Sequence, residues 1–288
     1  MSDDYRQLLD ATIQHVENLK ARGVRHVAVA PETLRALAQP APKSFPPQKM
    51  PEPKIEKLKA ETSLIPAAKP APATFNLQPS TTDKSTAFAA LRERALACVK
   101  CPNLASSRKS VVFGVGNIDA QLMFIGEAPG ADEDAQGEPF VGAAGQLLTK
   151  IISATGLSRA DVYIANILKC RPDTPGQSAG NRKPTPEEMT TCIPYLHEQI
   201  DLIRPQVIVA LGATAVEGLL GKTVGITKLR GQWQTYRGTP LMPTFHPSYL
   251  LRNQAMSEKR KVWEDMLAVM EKLGMPISAK QRNFFLKA

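Results

Sequence analysis

The sequence of 288 residues predicts an α/β fold, in which a central, mainly parallel sheet of four strands lies between two layers of helices. Three observations predict it. Four short apolar runs fit buried strands, helical patterns alternate with them, and a hydrophobic content of 43% suffices for a substantial core. Because ligands bind beyond the carboxyl ends of parallel strands, the residues that follow each run are the first candidates for function.

Each predicted strand is an apolar run of four or five residues. The strands cover residues 122–125, 162–165, 207–211 and 241–245. Helices are predicted where apolar residues recur every three or four positions, at 87–98, at 147–154, at 184–203, in a short segment ending at 220, and at 257–273. The third of these also has a start signal, because Thr185 and Pro186 precede Glu187 and Glu188. The alternation indicates parallel strands joined by crossover helices.

Residues 1–84 differ in composition from the rest of the chain. Apolar residues spaced three to four apart predict an amphipathic helix over 3–21, and a short segment at 24–37 completes an N-terminal helical segment at 1–37. Ten of the 24 prolines fall between Pro40 and Pro79, which predicts a disordered linker over 38–84. The compact domain then covers 85–275, and a C-terminal tail covers 276–288. The N-terminal helix is either a tethered docking element for a protein partner or a solubilising extension.

Charge and hydropathy narrow the possible partners. The formal net charge is +9, of which +3 lies in residues 1–84 and +6 in the remainder, so a polyanion such as nucleic acid is permitted but not required. No apolar run reaches the length of about 18 residues that spans a bilayer. The acidic start at Asp3 and Asp4 does not resemble a secretory signal. We therefore expect a cytoplasmic protein without a membrane partner, and we expect it to act as a monomer.

Four cysteines form the most specific pattern in the chain. They are Cys98 and Cys101, separated by two residues, then Cys170 and Cys192 at long intervals. Thiols remain reduced in the cytosol, so the pattern favours metal ligands over disulfides. Four thiolates suit either zinc or an iron–sulfur cluster. The spacing alone leaves both open, although zinc ribbons usually pair two Cys-x2-Cys motifs and this chain has one.

Several separate motifs occur at the predicted strand ends and beside them. They are the pentapeptide 126–130 followed by Glu133 and Asp134, the stretch 137–142, the stretches 166–172 and 181–184, and the stretch 246–252 that begins His246-Pro247-Ser248. In this order they resemble the motifs of family 4 uracil-DNA glycosylases over about residues 85–273. The resemblance implies an enzyme that hydrolyses the N-glycosidic bond of uracil in single- or double-stranded DNA. It also implies that Cys98, Cys101, Cys170 and Cys192 hold a structural [4Fe–4S] cluster.

The resemblance also assigns roles to individual residues. It implies Glu127, His246 and Glu133 as catalytic residues, and Ala128, Phe140 and Asn166 as residues that bind the substrate. The chemistry fits these assignments. A flipped base needs a flat platform such as Phe140, a carboxamide such as Asn166 can pair with both the N–H and the carbonyl of uracil, and a donor such as His246 stabilises charge on the departing base.

The sequence indicates less clearly which residue positions the nucleophilic water. The best-known uracil glycosylases have an aspartate at the position that matches Ala128, so that carboxylate is absent here. Glu127 becomes the candidate that organises the water and secondarily acts as its base, with Glu133 as a second candidate. No lysine is placed for Schiff-base chemistry, so we expect a monofunctional glycosylase.

Contacts with DNA are expected around the last motif and the middle region. Leu250 and Leu251 lie where the family presents an apolar wedge, although at least one of them belongs to the core. Arg252, Arg171, Arg182 and Lys183 are expected to contact phosphates. The segment from Arg171 to Gly180 is longer than the family's usual connection, and it contains no histidine, so the covalent trapping of a related branch is not expected.

Two alternatives remain open at this level. One is a glycosylase of the same superfamily with broader specificity for deaminated bases, as in the sister family 5; Glu127 argues against it, since the sister motif has an apolar residue there. The other is a non-catalytic iron–sulfur module that binds uracil or DNA, to which Ala128 lends some weight. Base release from substrates that contain uracil or hypoxanthine distinguishes the three possibilities.

Overall fold

A computed structural model of the chain describes residues 81–173, 181–221 and 225–286. The predictions for residues 1–37, for most of the linker and for the insertion at 174–180 lie outside these residues. The described helices are α1 (Thr81–Leu96), α2 (Pro102–Ser107), α3 (Ala131–Gln136), α4 (Ala143–Ala154), α5 (Pro186–Ile203), α6 (Ala213–Leu220), α7 (Ile226–Leu229), α8 (Pro247–Arg252), α9 (Met256–Lys272) and α10 (Ala279–Arg282). The strands are β1 (Val115–Gly116), β2 (Leu122–Gly126), β3 (Tyr163–Asn166), β4 (Val207–Leu211), β5 (Gln234–Tyr236) and β6 (Thr239–Thr244).

The strands of the described residues form one sheet in the order β1-β3-β2-β4-β6-β5. Strands β3, β2, β4 and β6 are parallel, with Phe124 of β2 opposite both Ile164 and Val209. These are the four predicted strands, so the α/β fold with a parallel centre is confirmed. The chain turns from β2 to β3 on one side and then to β4 on the other. A crevice at the carboxyl end of β2 follows from that change of direction.

The two faces of the sheet bury separate apolar cores, which makes the architecture three-layered. On one face Met123 and Ile125 pack with helices α1 and α5. On the other face Leu122 and Phe124 pack with helices α4 and α9. Neighbouring residues of a strand point to opposite faces, so a strand covered on both sides must be apolar throughout. This is why continuous apolar runs predicted the central strands.

The edge strands β1 and β5 were not predicted, and they add two antiparallel pairings to the sheet. Strand β1 has two residues and β5 reads Gln234-Thr235-Tyr236. An edge strand is covered incompletely, so it lacks the apolar run that marks a central strand. A prediction based on hydrophobicity therefore misses short edge strands of this kind.

Several element boundaries differ from the prediction. Helix α1 begins at Thr81, inside the last residues assigned to the linker, with Asp83 placed favourably in its first turn. Helix α5 begins at Pro186, where Thr185 accepts a hydrogen bond from the backbone N–H of Glu188. The predicted C-terminal tail contains helix α10, and its Gln281 carbonyl accepts a hydrogen bond of 2.6 Å from Trp263 Nε1.

Among the described helices, none combines the length and the apolar character needed to cross a membrane.

Candidate active site

A cleft of about 400 Å³ opens where the four central strands end. Glu127 follows β2, Asn166 ends β3, Gly212 follows β4, and His246 follows β6 by two residues. The cleft is lined by Glu127, Ala128, Gly130, Glu133, Phe140, Ala144, Asn166, Asn181, Leu211, Gly212, Ala213, His246, Ser248 and Arg252. The six residues predicted as catalytic or substrate-binding therefore surround one space. They come from segments up to 119 positions apart in the chain.

Phe140 is held in an unusual backbone conformation at the wall of this cleft. Its φ of 55° is in the left-handed region that residues with a side chain rarely adopt, and its ring is buried. Arg159 fixes the strained turn by donating hydrogen bonds to the carbonyls of Pro139 at 2.8 Å and Phe140 at 3.1 Å. The Phe140 and His246 rings lie 5.7 Å apart between centroids and are tilted by 34°. Such strain, supported from outside, is typical of a functional site.

Glu133 stabilises the same loop through its carboxylate. Its Oε1 accepts hydrogen bonds from the backbone N–H groups of Val141 and Gly142, both at 3.0 Å, and its Oε2 accepts one from Gly130 at 3.0 Å. Three donors thus converge on one carboxylate that also lines the cleft. These contacts give Glu133 the role of an organiser of the loop around Phe140.

We expect Gly145→Ala to impair the site from a distance. A Cβ at Gly145 would overlap the carbonyl carbon and oxygen of Phe140, which are backbone atoms that cannot rotate away. Overpacking costs about 1–3 kcal/mol, which lowers Tm by about 2–12 °C in a domain of this size. Displacement of the Phe140 ring should lower kcat/KM by up to about 10²-fold. Thermal unfolding measures the first effect, and an assay of the base release expected from the sequence measures the second. Ser153→Ala, at an exposed position of the same helix, is the control and should change neither.

Asn166 presents an unsatisfied hydrogen-bond acceptor to the cleft. The side chain is 2% exposed, and within the described residues its Oδ1 has no hydrogen-bond partner. A buried acceptor without a partner costs about 1–3 kcal/mol, so its retention indicates a ligand that donates to it. Gly126 makes the space, because a Cβ there would overlap Asn166 Oδ1 and the Phe140 ring. The amide and the ring are thus neighbours across a backbone that has no side chain.

A buried network of polar side chains hydrogen-bonds the backbone of Asn166. The Lys169 ammonium donates to the Asn166 carbonyl at 2.9 Å and to Gln199 Oε1 at 2.6 Å. Gln199 in turn donates to the Tyr163 hydroxyl and to the Phe113 carbonyl. The backbone N–H of Lys169 donates to Cys192 Sγ at 3.2 Å. Lys169 therefore connects the end of β3 directly to one of the four cysteines.

The hydrogen bonds of His246 determine its tautomer. The backbone N–H of Ser248 donates to His246 Nδ1 at 3.2 Å, so Nδ1 is an acceptor and the proton of the neutral ring is on Nε2. Burial, and to a lesser extent the positive charge of Arg252, lowers the pKa of His246 to about 4. The ring is therefore neutral at physiological pH, with an N–H donor available at Nε2. Gly212 leaves room for it, since a Cβ there would approach His246 Cβ to 2.9 Å.

Glu127 is the carboxylate whose pKa the site perturbs. Burial raises its pKa above the ordinary value of 4.5, while a hydrogen bond with Thr214 and the charge of Lys183 partly oppose the shift. Thr214 is in the first turn of α6, directly after the end of β4. Glu127 is thus oriented by a neighbouring strand end, beside Ala128 on the cleft wall. A carboxylate in this setting can orient a water molecule or accept a proton from it.

The four cysteines line one narrow cavity behind the site. Cys98 and Cys101 both lie just before α2, Cys170 follows β3 by four residues, and Cys192 is on α5. Burial raises the pKa of the Cys192 thiol to about 11 and also raises the pKa of the Cys101 and Cys170 thiols. In the part of the chain that the structure describes, no three metal-binding side chains converge on a position for a single ion.

The residues predicted to contact DNA fall into different environments. Leu250 is 5% exposed and packs with Phe245 and Val262, which assigns it to the core and corrects its prediction as a wedge. Leu251 is 39% exposed, and it alone keeps that prediction. The two leucines differ because Leu250 lies on the face of α8 that packs against helices α4 and α9.

The predicted phosphate ligands also differ from one another. Arg252 lines the cleft. Arg171 Nε donates to Asn181 Oδ1 at 2.9 Å. Two of the cations form ion pairs within the domain: Arg182 with Glu188 and Lys183 with Glu217, both at 2.5 Å.

Residues that the sequence analysis did not single out also contribute. Gly212 carried a detectable signal, because it follows an apolar strand as Gly126 does. Asn181 and Ser248 line the cleft within motifs that were noted without a role for them. Lys169 likewise lies within a noted motif, the stretch 166–172, without a role assigned to it. Arg159 had no comparable signal, since an isolated basic residue in a sequence is usually a surface residue.

Comparison with known proteins agrees with this geometry. The family model of the uracil DNA glycosylase superfamily matches residues 113–267. A type-4 uracil-DNA glycosylase from Thermotoga maritima is 49% identical over 60% of this chain and 88% of its own length. One from Saccharolobus solfataricus is 44% identical over 58% and 77%. A type-5 uracil-DNA glycosylase from Pyrobaculum aerophilum is 31% identical over 54% and 80%.

Proposed function

This chain belongs to the uracil DNA glycosylase superfamily, and from that membership we infer that it is a monofunctional uracil-DNA glycosylase of type 4. It hydrolyses the N-glycosidic bond of uracil in DNA and leaves an abasic site. The identity to type-4 relatives reaches 49%, against 31% to the type-5 relative. Glu127 also favours type 4, because the sister motif of family 5 has an apolar residue at that position. Uracil is therefore the substrate that we propose, ahead of a broader range of deaminated bases.

One observation indicates which base the site binds. Within the described residues, the buried Oδ1 of Asn166 has no hydrogen-bond partner; it lies beside the Phe140 ring, in a cleft that the neutral His246 also lines. Uracil has an N3–H between two carbonyls, so it can donate to Asn166 Oδ1, accept from the amide nitrogen, and accept from His246 at its other carbonyl. Cytosine presents the reverse order, an acceptor at N3 beside a donor at its amino group, so it does not match the amide in this orientation and would require the amide to flip. The site is thus complementary to uracil.

The experiment that tests the function uses an oligonucleotide with a single uracil. The full-length protein should release free uracil and create one alkali-labile site, on single- and on double-stranded DNA. A matched oligonucleotide with hypoxanthine should react at least about tenfold more slowly. Equal rates would favour the broader glycosylase. Saturable binding of the uracil oligonucleotide without base release would favour a non-catalytic module.

The chemistry separates charge between the sugar and the base. The N1–C1′ bond breaks, its electron pair remains with uracil, and the sugar becomes an oxocarbenium-like cation. The His246 Nε2–H donates to the carbonyl on which negative charge develops, which stabilises the transition state more than the bound substrate. Water then adds to C1′ and releases a proton. Glu127 orients this water and accepts the proton secondarily, while Glu133 holds the loop.

The pH dependence of the rate should identify Glu127. Its raised pKa means that the carboxylate takes up a proton at a pH above 4.5, so the rate of the wild-type enzyme should fall as the pH drops through that higher value. Glu127→Gln should lower kcat at pH 8 by about 10²-fold, the lower end of the contribution of a positioned base. It should also remove the acidic limb, as single-turnover rates from pH 5 to pH 8 would reveal. An acidic limb that persists in Glu127→Gln would assign it to another group.

We further propose that Cys98, Cys101, Cys170 and Cys192 hold a [4Fe–4S] cluster with a structural role. The four thiols line one shared cavity, so a single group can be held by all of them. The resemblance to family 4, and the presence of one Cys-x2-Cys motif where zinc ribbons usually pair two, favour the cluster over zinc. Binding would release the protons that burial keeps on the thiols of Cys101, Cys170 and Cys192. When bound, the cluster would rigidify the segments that carry its ligands, and Lys169, which hydrogen-bonds both Cys192 Sγ and the Asn166 carbonyl, would couple Cys192 to the end of β3.

Substitution of one cysteine should abolish the visible absorption of the protein and lower its unfolding temperature. Purified wild-type protein should be brown with broad visible absorption, and Cys192→Ser should lack that absorption and unfold at a lower temperature, because a ligand joining α5 to the Cys170 segment is gone. Thr191→Ala, which changes a neighbour on the same cavity, should keep the absorption. Colourless wild-type protein that contains zinc would contradict the cluster but leave the proposed glycosylase activity intact.

Leu251, Arg252 and Arg171 are the residues that we propose for contact with DNA. Leu251 is the exposed apolar side chain on α8, the short helix that begins just after His246. Arg252 lines the cleft, and Arg171 bonds Asn181 at its rim. An apolar side chain can occupy the stack that the flipped uracil leaves, while cations neutralise the flanking phosphates.

A further inference from the structure

A cation forms part of the wall of the cysteine cavity. Arg108 lines this cavity with Leu104, Leu168 and Thr191, and among the described lining residues it is the one with a permanent charge. Its Nη1 donates to Cys170 Sγ at 3.1 Å, and the side chain is partly buried. An arginine cannot lose its proton in a protein, so this hydrogen bond always carries a positive charge.

Arg108 is positioned by the short helix α2, which begins directly after the predicted ligand Cys101. Helix α2 has Cys101 as its N-terminal cap and Arg108 as its C-terminal cap. The backbone N–H of Arg108 donates to the Leu104 carbonyl at 3.0 Å, and Leu104 is buried against the cavity. One short helix therefore carries a predicted ligand at one end and, at the other, a donor to a different ligand. A second N–H···S bond comes from the backbone of Lys169 to Cys192.

We propose that Arg108 sets the reduction potential of the cluster by stabilising its reduced form more than its oxidised form. This inference rests on the [4Fe–4S] cluster proposed above. Reduction transfers one electron from an external reductant to the cluster, with no bond formed or broken, and makes the group more negative. A charge-assisted hydrogen bond to a ligand sulfur strengthens as negative charge accumulates on that sulfur. Hydrogen bonds and net charge around the sulfurs are among the factors that set such potentials.

A redox titration tests the role of Arg108. The full-length protein is titrated with dithionite and mediators under anaerobic conditions, and the visible absorption reports the fraction reduced. Arg108→Met should lower the equilibrium constant for reduction about tenfold, equivalent to 59 mV for one electron. Lys109→Met is the matched control. It removes the same charge from the next position, where the side chain is exposed and screened, and should shift the constant less than about twofold.

Arg108→Lys keeps the charge and completes the test. Its reduction constant should lie within about threefold of the wild-type value, because a lysine retains the positive charge near Cys170. If Arg108→Met does not retain a cluster, this variant decides the question, and a shift as large as tenfold would overturn the proposal. So would an unshifted Arg108→Met. Wild-type protein without the cluster absorption would instead show that the cofactor proposal had failed.

Discussion

Asn166→Ala should lower kcat/KM for uracil excision by about 10²–10³-fold, the range expected when a buried donor–acceptor pair is removed from a preorganised site. The variant lacks both the acceptor for N3–H and the donor for the adjacent carbonyl. Because the side chain is buried at the end of β3, no solvent-exposed residue can replace these bonds. Single-turnover cleavage of an oligonucleotide with one uracil measures the loss.

The size of this effect separates base reading from simple packing. Asn166→Ala removes an acceptor that has no partner within the described protein, so the fold loses little, and Tm should remain close to the wild-type value. Asn283→Ala changes an exposed asparagine beyond helix α10 and should leave the rate unchanged. A loss below about tenfold in Asn166→Ala, with Tm maintained, would show that another group reads the base.

His246→Asn should lower kcat by about 10²–10³-fold with little change in KM, because the donor at Nε2 acts on charge that develops only in the transition state. Asparagine is the informative replacement. His246 caps helix α8 by accepting from the Ser248 N–H, and asparagine is a good cap that lacks the reach of the imidazole. His246→Ala loses the donor and the cap together, and should also unfold at a lower temperature.

Comparison of the two His246 variants provides the control. If their kcat values agree and their Tm values differ, the rate depends on the donor and the stability on the cap. The wild-type rate should show no ionisation of His246 between pH 5 and pH 8, since burial holds its pKa at about 4. A kcat for His246→Asn within about tenfold of wild type would exclude His246 as the principal electrophilic donor.

The central strands show how much of the fold was readable from sequence. Strand β4 was predicted to the residue and β2 to within one residue, because a strand buried on both faces must be apolar throughout. The edge strands β1 and β5 carry no such requirement and were missed. Helix α1 begins before the first residue of its apolar pattern, because its first turn consists of polar residues, which give no hydrophobic signal.

The candidate site was readable in part for a different reason. Glu127, Asn166 and His246 each lie at the end of a predicted strand, and parallel strands place those ends at one edge of a sheet. Their identification depended on motifs resembling a known family. Arg159 lies outside these motifs, and Lys169 lies within one without a role that its sequence reveals, because a buried basic residue is recognisable only by the carbonyls and the glutamine that surround it.

The sequence by itself determined the α/β class, the family motifs and the set of four cysteines, since each depends on residue type and local spacing. The tertiary structure alone decided four finer points: which of Leu250 and Leu251 is exposed, that Glu133 accepts three backbone hydrogen bonds, that Phe140 adopts a positive φ, and that His246 carries its proton on Nε2. These depend on contacts between segments distant in the chain. Such contacts arise only when folding brings the strand ends and their loops together.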